Sequence, residues 1–112
     1  MHTYVVVRRS AWPTLDEQRE ADVRSAFEAA RMADDIECIR SYVLEESDRS
    51  LGSVCIFQAS SPEAVRRHAA AADLPVGEIV KVVDTVHPAR EMLLMMRANP
   101  ELPACLRGSG LR

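Results

Sequence analysis

The order in which strand and helix patterns follow one another is the feature that most restricts how this chain can fold. In chain order the sequence predicts a strand at 4–9, a helix that begins after Thr14, strands at 38–45 and 53–59, a helix from Ser61 to about Ala72, and a strand at 78–86. Two strand–helix–strand units with right-handed crossovers, joined by a hairpin, place four strands in one antiparallel sheet with both helices on one face. The sequence therefore predicts an α+β fold of the ferredoxin-like β-α-β-β-α-β type.

Capping residues indicate where the two helices begin and end. Thr14 and Glu17 have the spacing of a capping box, and Ser61 followed by Pro62 is typical of an N-cap and a first helical residue. The second helix is expected to end before Pro75, because the residue before a proline disfavours helix. Apolar residues at helical spacing predict the inward face of the first helix, which comprises Val23, Ala26, Phe27, Ala30 and Ala33.

The strands carry apolar side chains on both faces, although two helices cover only one. The strand at 53–59 has Val54 and Ile56 on one side and Cys55, Phe57 and Ala59 on the other, and the strand at 78–86 is similarly dense in isoleucine and valine. A sheet face that is open to water normally alternates with polar residues. The sequence therefore predicts a homodimer in which the helix-free faces of two sheets pack together.

The residues after the fourth strand are expected to lie outside this fold. Residues 89–98 favour a further helix, and five consecutive apolar residues within it cannot all share one helical face. Prolines and glycines near the end of the sequence indicate an irregular tail. We therefore expect a ferredoxin-like domain at 1–88 and a C-terminal helical extension with an irregular tail at 89–112.

Charge and composition exclude several classes of partner. The 112 residues carry a net charge of −3, so no basic surface favours binding to nucleic acid. No apolar run approaches the roughly 18 residues needed to cross a membrane, so no membrane partner is expected. Three cysteines, Cys38, Cys55 and Cys105, are an odd number that does not favour a disulfide framework, and we expect a cytoplasmic protein with reduced thiols.

Candidate functional residues have to be considered one by one, because the sequence contains no familiar nucleotide-binding, phosphate-binding or hydrolase motif. His68 lies beside Val65, Ala69 and Ala72 on the second helix, where an imidazole is suited to bind a transition metal or to act in acid–base catalysis. The alternative is a partly buried histidine at the edge of the helix with one hydrogen bond. Cys55 offers a thiolate ligand, and the alternative is a small hydrophobic core residue.

The second strand provides two further candidates. Strand alternation predicts that Cys38, Arg40 and Tyr42 point to the same side of the sheet. Arg40 and Tyr42 are suited to bind an anionic ligand, and the alternative is contact with the sheet of a partner chain.

Five short stretches, taken together, resemble a known family. They are Ser-Tyr-Val at 41–43, Cys-Ile-Phe-Gln-Ala at 55–59, Ser-Pro-Glu-Ala-Val-Arg-Arg-His-Ala at 61–69, Leu-Pro at 74–75 and Ile-Val-Lys-Val at 79–82. They are similar to a small bacterial domain-of-unknown-function family, dimeric and ferredoxin-like, whose members are often labelled nickel-binding proteins. The resemblance implies the fold and homodimer already predicted. It also implies Ni²⁺ or another divalent transition metal as a cofactor, with Cys55 and His68 at the positions of the family's recurrent cysteine and helix histidine.

Three functional hypotheses follow. The first is a non-enzymatic protein that binds Ni²⁺ or another divalent transition metal through His68 and Cys55. The second is a cofactor-free enzyme of the dimeric α+β barrel type, an isomerase or monooxygenase. In it, His68 is the general base and Arg40 or Tyr42 orients an anionic substrate in a pocket between sheet and helices. The third is a structural or regulatory dimer whose tail engages another protein.

Overall fold

The computed structural model describes residues 1–98, which form one four-stranded sheet and three helices. The strands are β1 (His2–Trp12), β2 (Ile36–Glu45), β3 (Leu51–Ala59) and β4 (Glu78–Lys81), and the helices are α1 (Leu15–Arg31), α2 (Pro62–Ala71) and α3 (Pro88–Ala98). The sheet is antiparallel with the strand order β2-β3-β1-β4. The predicted ferredoxin-like α+β fold is confirmed. The predicted irregular tail lies outside the described residues, and the division of the chain at residue 88 stays a prediction.

The core lies between the sheet and the two helices α1 and α2. Tyr4 and Val6 of β1 point toward the helices, and Tyr4 lies directly opposite Phe57 of β3. Alternate strand residues share a face, so this face also receives Ala59 of β3. The buried apolar cluster consists of Tyr4, Val6, Ile36, Phe57, Ala59, Ala64 and Val65.

The predicted helix starts are confirmed by the capping hydrogen bonds. The backbone N–H of Glu17 donates to Thr14 Oγ1 at 3.2 Å, and the backbone N–H of Ala64 donates to Ser61 Oγ at 3.2 Å. Each bond satisfies one of the N–H groups that a helix leaves without an internal partner. The helix α2 ends at Ala71, ahead of Pro75 as expected.

The predicted inward face of α1 is wrong. Val23 and Phe27 are 70% and 62% exposed, whereas Gln18 and Ala21 are buried. The observed inward face is offset from the predicted one by about one residue, which is roughly 100° of helix rotation. Both faces have helical spacing, and the one that faces the sheet carries small and polar side chains. The spacing of the large apolar residues therefore predicted the wrong inward face for α1.

A bulge in β2 separates residues that were predicted to share a side. Cys38 lies opposite Phe57, and the next residue in register is Arg40, opposite Ile56. One extra residue in a strand reverses the direction of every side chain that follows it. Cys38 therefore faces the helices, while Arg40 and Tyr42 lie on the helix-free face, which corrects the prediction.

Two strands also differ in length from the prediction. β1 continues to Trp12 instead of ending at residue 9. The pairing with β3 is irregular between Arg8 and Trp12, where Ser10 has φ 45°, and it resumes at Trp12, which lies opposite Leu51 and is buried. β4 ends at Lys81 instead of residue 86. β4 is antiparallel to β1, so its later residues pair with the first residues of β1. The last bond to β1 runs from the Val82 N–H to the Thr3 carbonyl, and β1 itself begins at His2, so it offers β4 almost no further partners.

The extension after β4 has a different character. The helix α3 is present, and none of its described side chains is buried. Among residues 1–98, no helix combines the length and the apolar character that a membrane span requires.

Gly52 allows a close approach between the hairpin and β1. A Cβ at this position would meet the Arg8 carbonyl oxygen and lie 2.8 Å from Glu46 Oε1. The Glu46 carboxylate accepts two hydrogen bonds from Arg9, both at 2.8 Å, and these bonds hold the pKa of Glu46 below its ordinary value. Glycine is thus required for β3 to pass beneath this ion pair.

We expect Gly52→Ala to lower the free energy of unfolding by about 1–3 kcal/mol, because the added methyl group must displace backbone. Urea denaturation followed by circular dichroism measures the change. Ser47→Ala, at an exposed position in the same hairpin turn, serves as the control and should change stability by less than about 0.5 kcal/mol. Equal midpoints for Gly52→Ala and the wild type would contradict this account of the turn.

Candidate functional site between the sheet and the helices

Four polar side chains are buried between the sheet and the two helices α1 and α2. They are Arg8, Gln18, Ser53 and His68, with exposures of 0–3%. A buried polar group costs free energy unless it finds a partner, and a buried charge costs more. Such a concentration in a small core needs an explanation beyond packing.

Arg8 is the charged member of this group. It lies on β1 directly opposite Ser53, and its Nε donates to the Pro75 carbonyl at 2.9 Å. Burial lowers the pKa of Arg8, and the neighbouring Cys55 thiol acts in the opposite direction; an arginine nevertheless stays protonated in proteins. Within residues 1–98 the guanidinium forms no ion pair, and its terminal nitrogens form no hydrogen bond to an oxygen.

A small polar cavity lies on one side of Arg8, between the sheet and α1. Its volume is about 10 Å³, room for roughly one water molecule. We call this the polar pocket. It is lined by Arg8, Trp12, Gln18, Ala21, Asp22, Ser25, Ser41, Ser53, Cys55 and Leu74. Hydroxyl, amide, thiol and guanidinium groups therefore border one small cavity, together with the carboxylate of Asp22.

A larger cavity lies on the other side of Arg8, against the last turn of α2 and the segment that precedes β4. Its volume is about 300 Å³. We call this the apolar cleft. It is lined by Val6, Arg8, Arg66, Ala69, Ala70, Leu74, Pro75, Val76, Gly77 and Ile79. The two cavities share Arg8 and Leu74, so the Arg8 side chain borders both.

Arginines fix the segment that forms the wall of the cleft. Arg24 of α1 donates from Nε to the Ala72 carbonyl at 2.8 Å and from Nη2 to the Asp73 carbonyl at 3.3 Å. Arg8 holds the Pro75 carbonyl from below. Gly77 permits close packing on Arg8, because a Cβ there would lie 2.9 Å from Arg8 Cγ. The same segment therefore positions the Arg8 side chain and closes the cleft.

His68 is the candidate that the sequence identified most directly. It is 0% exposed, and its Nε2 lies 2.9 Å from the Ser25 carbonyl of α1. Because a carbonyl only accepts, Nε2 carries a proton and donates it to this bond. Nδ1 has no hydrogen-bond partner, and the ring packs edge-on against Phe57 with centroids 5.3 Å apart. The His68 side chain therefore links α2 to α1 through a hydrogen bond.

The donors for a metal ion are incomplete. Among residues 1–98, no group of three or more histidine, cysteine, aspartate and glutamate side chains is arranged to hold a metal. Cys55 is half-buried and lies beside the Arg8 cation, and the only nitrogen of His68 left without a hydrogen-bond partner is Nδ1. These two residues do not by themselves form a metal site within one protomer.

The other predicted ligand-binding pair lies elsewhere. Arg40 and Tyr42 are on the helix-free face, where Arg40 Nη1 donates to the Tyr42 hydroxyl at 3.3 Å. They are on the opposite side of the sheet from His68, so one pocket in one protomer does not contain all three. Sequence reasoning missed Arg8, Gln18 and Ser53. The available signal was the alternation of Tyr4, Val6 and Arg8 along β1.

Comparison with known proteins gives a family and a fold. Residues 4–82 match a family model described as "Nickel responsive protein SCO4226-like". No curated protein matches the sequence.

Among solved structures, SCO4226 from Streptomyces coelicolor A3(2) is similar, with a TM-score of 0.59 and 20% identity over 75% of this chain and 99% of that one. A mutant of SnoaB, a cofactor-independent oxygenase from Streptomyces nogalater, has a TM-score of 0.45 and 20% identity over 77% of this chain and 95% of that one. Rv0793 from Mycobacterium tuberculosis has a TM-score of 0.39 and 11% identity over 78% of this chain and 98% of that one. The last two resemble the chain only loosely. Since the family model spans well over half of the sequence, the chain belongs to the SCO4226-like family of nickel responsive proteins.

Proposed function

We propose that this protein binds a small anionic molecule between the sheet and the helices, with Arg8 as the anchor. The observation that carries the proposal is a buried guanidinium that has no carboxylate partner within residues 1–98. An isolated buried charge is strongly unfavourable, and a bound anion would remove that cost. The chain as a whole is acidic, so this cation is a local feature and not part of a basic surface.

The surrounding groups suit recognition of a carboxylate or a phosphate. A guanidinium offers two parallel N–H donors to a planar or tetrahedral anion, and only Nε of Arg8 is already used on a backbone carbonyl. Gln18 and Ser53 add neutral donors in the polar pocket on the other side of Arg8, which has room for about one water molecule and is also lined by Asp22. His68 does not line the polar pocket and already donates from Nε2, so this arrangement supports binding better than acid–base catalysis.

Replacement of the guanidinium tests the anchor. We expect Arg8→Met to weaken anion binding by about tenfold or more, because a hydrogen bond to a charged group contributes roughly 1.5–3 kcal/mol. Thermal shift and calorimetry with acetate, benzoate, hexanoate and inorganic phosphate measure the affinity. Methionine fills similar volume, so the variant should remain folded.

Arg9→Met provides a matched control for this experiment. Arg9 is the next residue of β1, is exposed, and pairs with Glu46 away from the cavities. The Arg9→Met variant should bind the same anions as the wild type, with the same affinity. An anion that binds Arg8→Met and the wild type equally well would remove Arg8 from the site, and a lack of binding by every anion would reject the proposal.

We also propose that two copies associate through the helix-free face of the sheet. On the central strands Val5 lies opposite Ile56 and Val7 opposite Val54, and these four side chains form an aliphatic patch. Val80 extends this patch onto β4, where it is 46% exposed. A second copy of the same sheet would remove the patch from water, and packed sheets lie about 10 Å apart.

A charge in the middle of this patch tests the dimer. We expect the wild type to sediment as a dimer at micromolar concentration and Ile56→Asp to sediment as a folded monomer, because two buried carboxylates would face each other without partners. Val83→Asp places the same charge at a position that is 92% exposed and should remain dimeric. A monomeric wild type would contradict the proposal.

Nickel binding is the second candidate, and the family description together with the unpartnered Nδ1 of His68 favours it. In this candidate, His68 and Cys55 are ligands, and further donors come from outside the described protomer. Imidazole nitrogen and thiolate sulfur both suit late transition metals.

Calorimetric titration of Ni²⁺ into metal-stripped protein tests this candidate. We expect micromolar or tighter binding that weakens at least about tenfold in His68→Gln, since one ligand is lost. Glutamine keeps an N–H donor for the Ser25 carbonyl, whereas alanine would leave a cavity in the core. His87→Gln, at an exposed position, should bind as the wild type does. Binding that is indifferent to His68 would reject the candidate.

A further inference from the structure

The chemistry of the apolar cleft indicates what the rest of the anionic ligand is. Apart from the glycine, the side chains that line it are aliphatic or alanine methyl groups, with two arginines and no carboxylate among them. We propose that the ligand is an amphipathic carboxylate whose charged end meets Arg8 and whose aliphatic or aromatic body occupies the apolar cleft. This inference rests on the proposed function and adds the class of ligand.

The two arginines of the cleft have different roles. Arg66 lies on the outer side of α2 and pairs with Glu63 at 2.9 Å, with both side chains more than half exposed. An exposed pair of this kind contributes little, because water already solvates it. Arg8 is 2% exposed and lies where the cleft meets the polar pocket. The charged end of a ligand is therefore expected at Arg8, at the inner end of the cleft.

The last turn of α2 favours an uncharged ligand body beside it. The carbonyl groups that end this helix are already bonded, since Leu74 N–H donates to the Ala69 carbonyl at 2.9 Å and Asp73 N–H donates to the Ala70 carbonyl at 3.2 Å. What the turn presents to the cleft is the methyl groups of Ala69 and Ala70. A polar ligand body would lose water here without gaining hydrogen bonds.

The opposite wall of the cleft is apolar as well. Leu74, Pro75 and Val76 form it, and Val76 is 99% exposed. The segment is fixed by Arg24 at Ala72 and by Arg8 at Pro75, so the wall is held in place before a ligand binds. A volume of about 300 Å³ is at the small end of the range of ligand pockets. The cleft thus suits a short alkyl chain or a single ring.

Titration of an alkanoate series tests the inference. Calorimetry with butanoate, hexanoate and octanoate should show affinity rising about fourfold for each methylene group that enters the cleft. Hexanol, which has the same chain and no charge, should bind at least about tenfold more weakly than hexanoate, since it lacks the contact with Arg8.

Two leucine substitutions on α2 locate the alkyl chain. Ala70→Leu fills the cleft from an exposed helical position and should remove the dependence on chain length, so that octanoate binds no better than butanoate. Ala71→Leu is the neighbouring substitution, and this side chain lines a different surface cavity. It should leave the whole series unchanged.

The outcomes separate the two proposals. Binding that depends on Arg8 but not on chain length would overturn the amphipathic ligand and keep the anionic one. Binding that depends on chain length but is equal in Arg8→Met would overturn both. An Ala70→Leu variant that still discriminates octanoate from butanoate would place the chain outside the apolar cleft and reject this inference.

Discussion

Arg8 is a charged side chain buried beneath two helices, and much of the local structure is arranged around it. Its Nε requires an acceptor, which the Pro75 carbonyl supplies. The segment that carries this carbonyl must come close, and Gly77 makes this approach sterically allowed. The facing part of α1 presents Gln18 and Ser25 rather than larger apolar side chains. The helix orientation, the loop before β4 and the polar pocket therefore share one physical cause.

The same constraint explains where prediction from sequence succeeded and where it failed. Strand and helix types follow from local patterns, and the caps at Thr14 and Ser61 set the helix starts correctly. The face of α1 depends instead on what the sheet places beneath it. With Arg8 and Trp12 there, the interior at this end is polar and crowded, so Val23 and Phe27 face outward. The hydrophobic periodicity of α1 alone cannot predict this, because it contains no information on the sheet residues that the helix packs against.

Register was the second property that the sequence did not reveal. The bulge before Arg40 is a single extra residue in β2, and no glycine marks it. Its consequence is large, because it moves Arg40 and Tyr42 to the helix-free face and leaves Cys38 on the other. The predicted pairing of Arg40 or Tyr42 with His68 in one pocket depended on which face they occupied. His68 itself was identified correctly as an inward residue, since Val65 on the same helix and Ala72, the residue that caps its C-terminus, are also buried.

The family description and the geometry direct attention to different residues, for an electrostatic reason. Cys55 lies beside Arg8, and a positive guanidinium attracts an anion and repels a divalent cation placed near that thiol. His68 is in a different environment, hydrogen-bonded to the Ser25 carbonyl and packed on the Phe57 ring. An imidazole nitrogen suits a transition metal, whereas the groups around Arg8 suit an anion. The proposed anion site around Arg8 on β1 and the proposed nickel ligand His68 on α2 are therefore separate hypotheses, each with its own test.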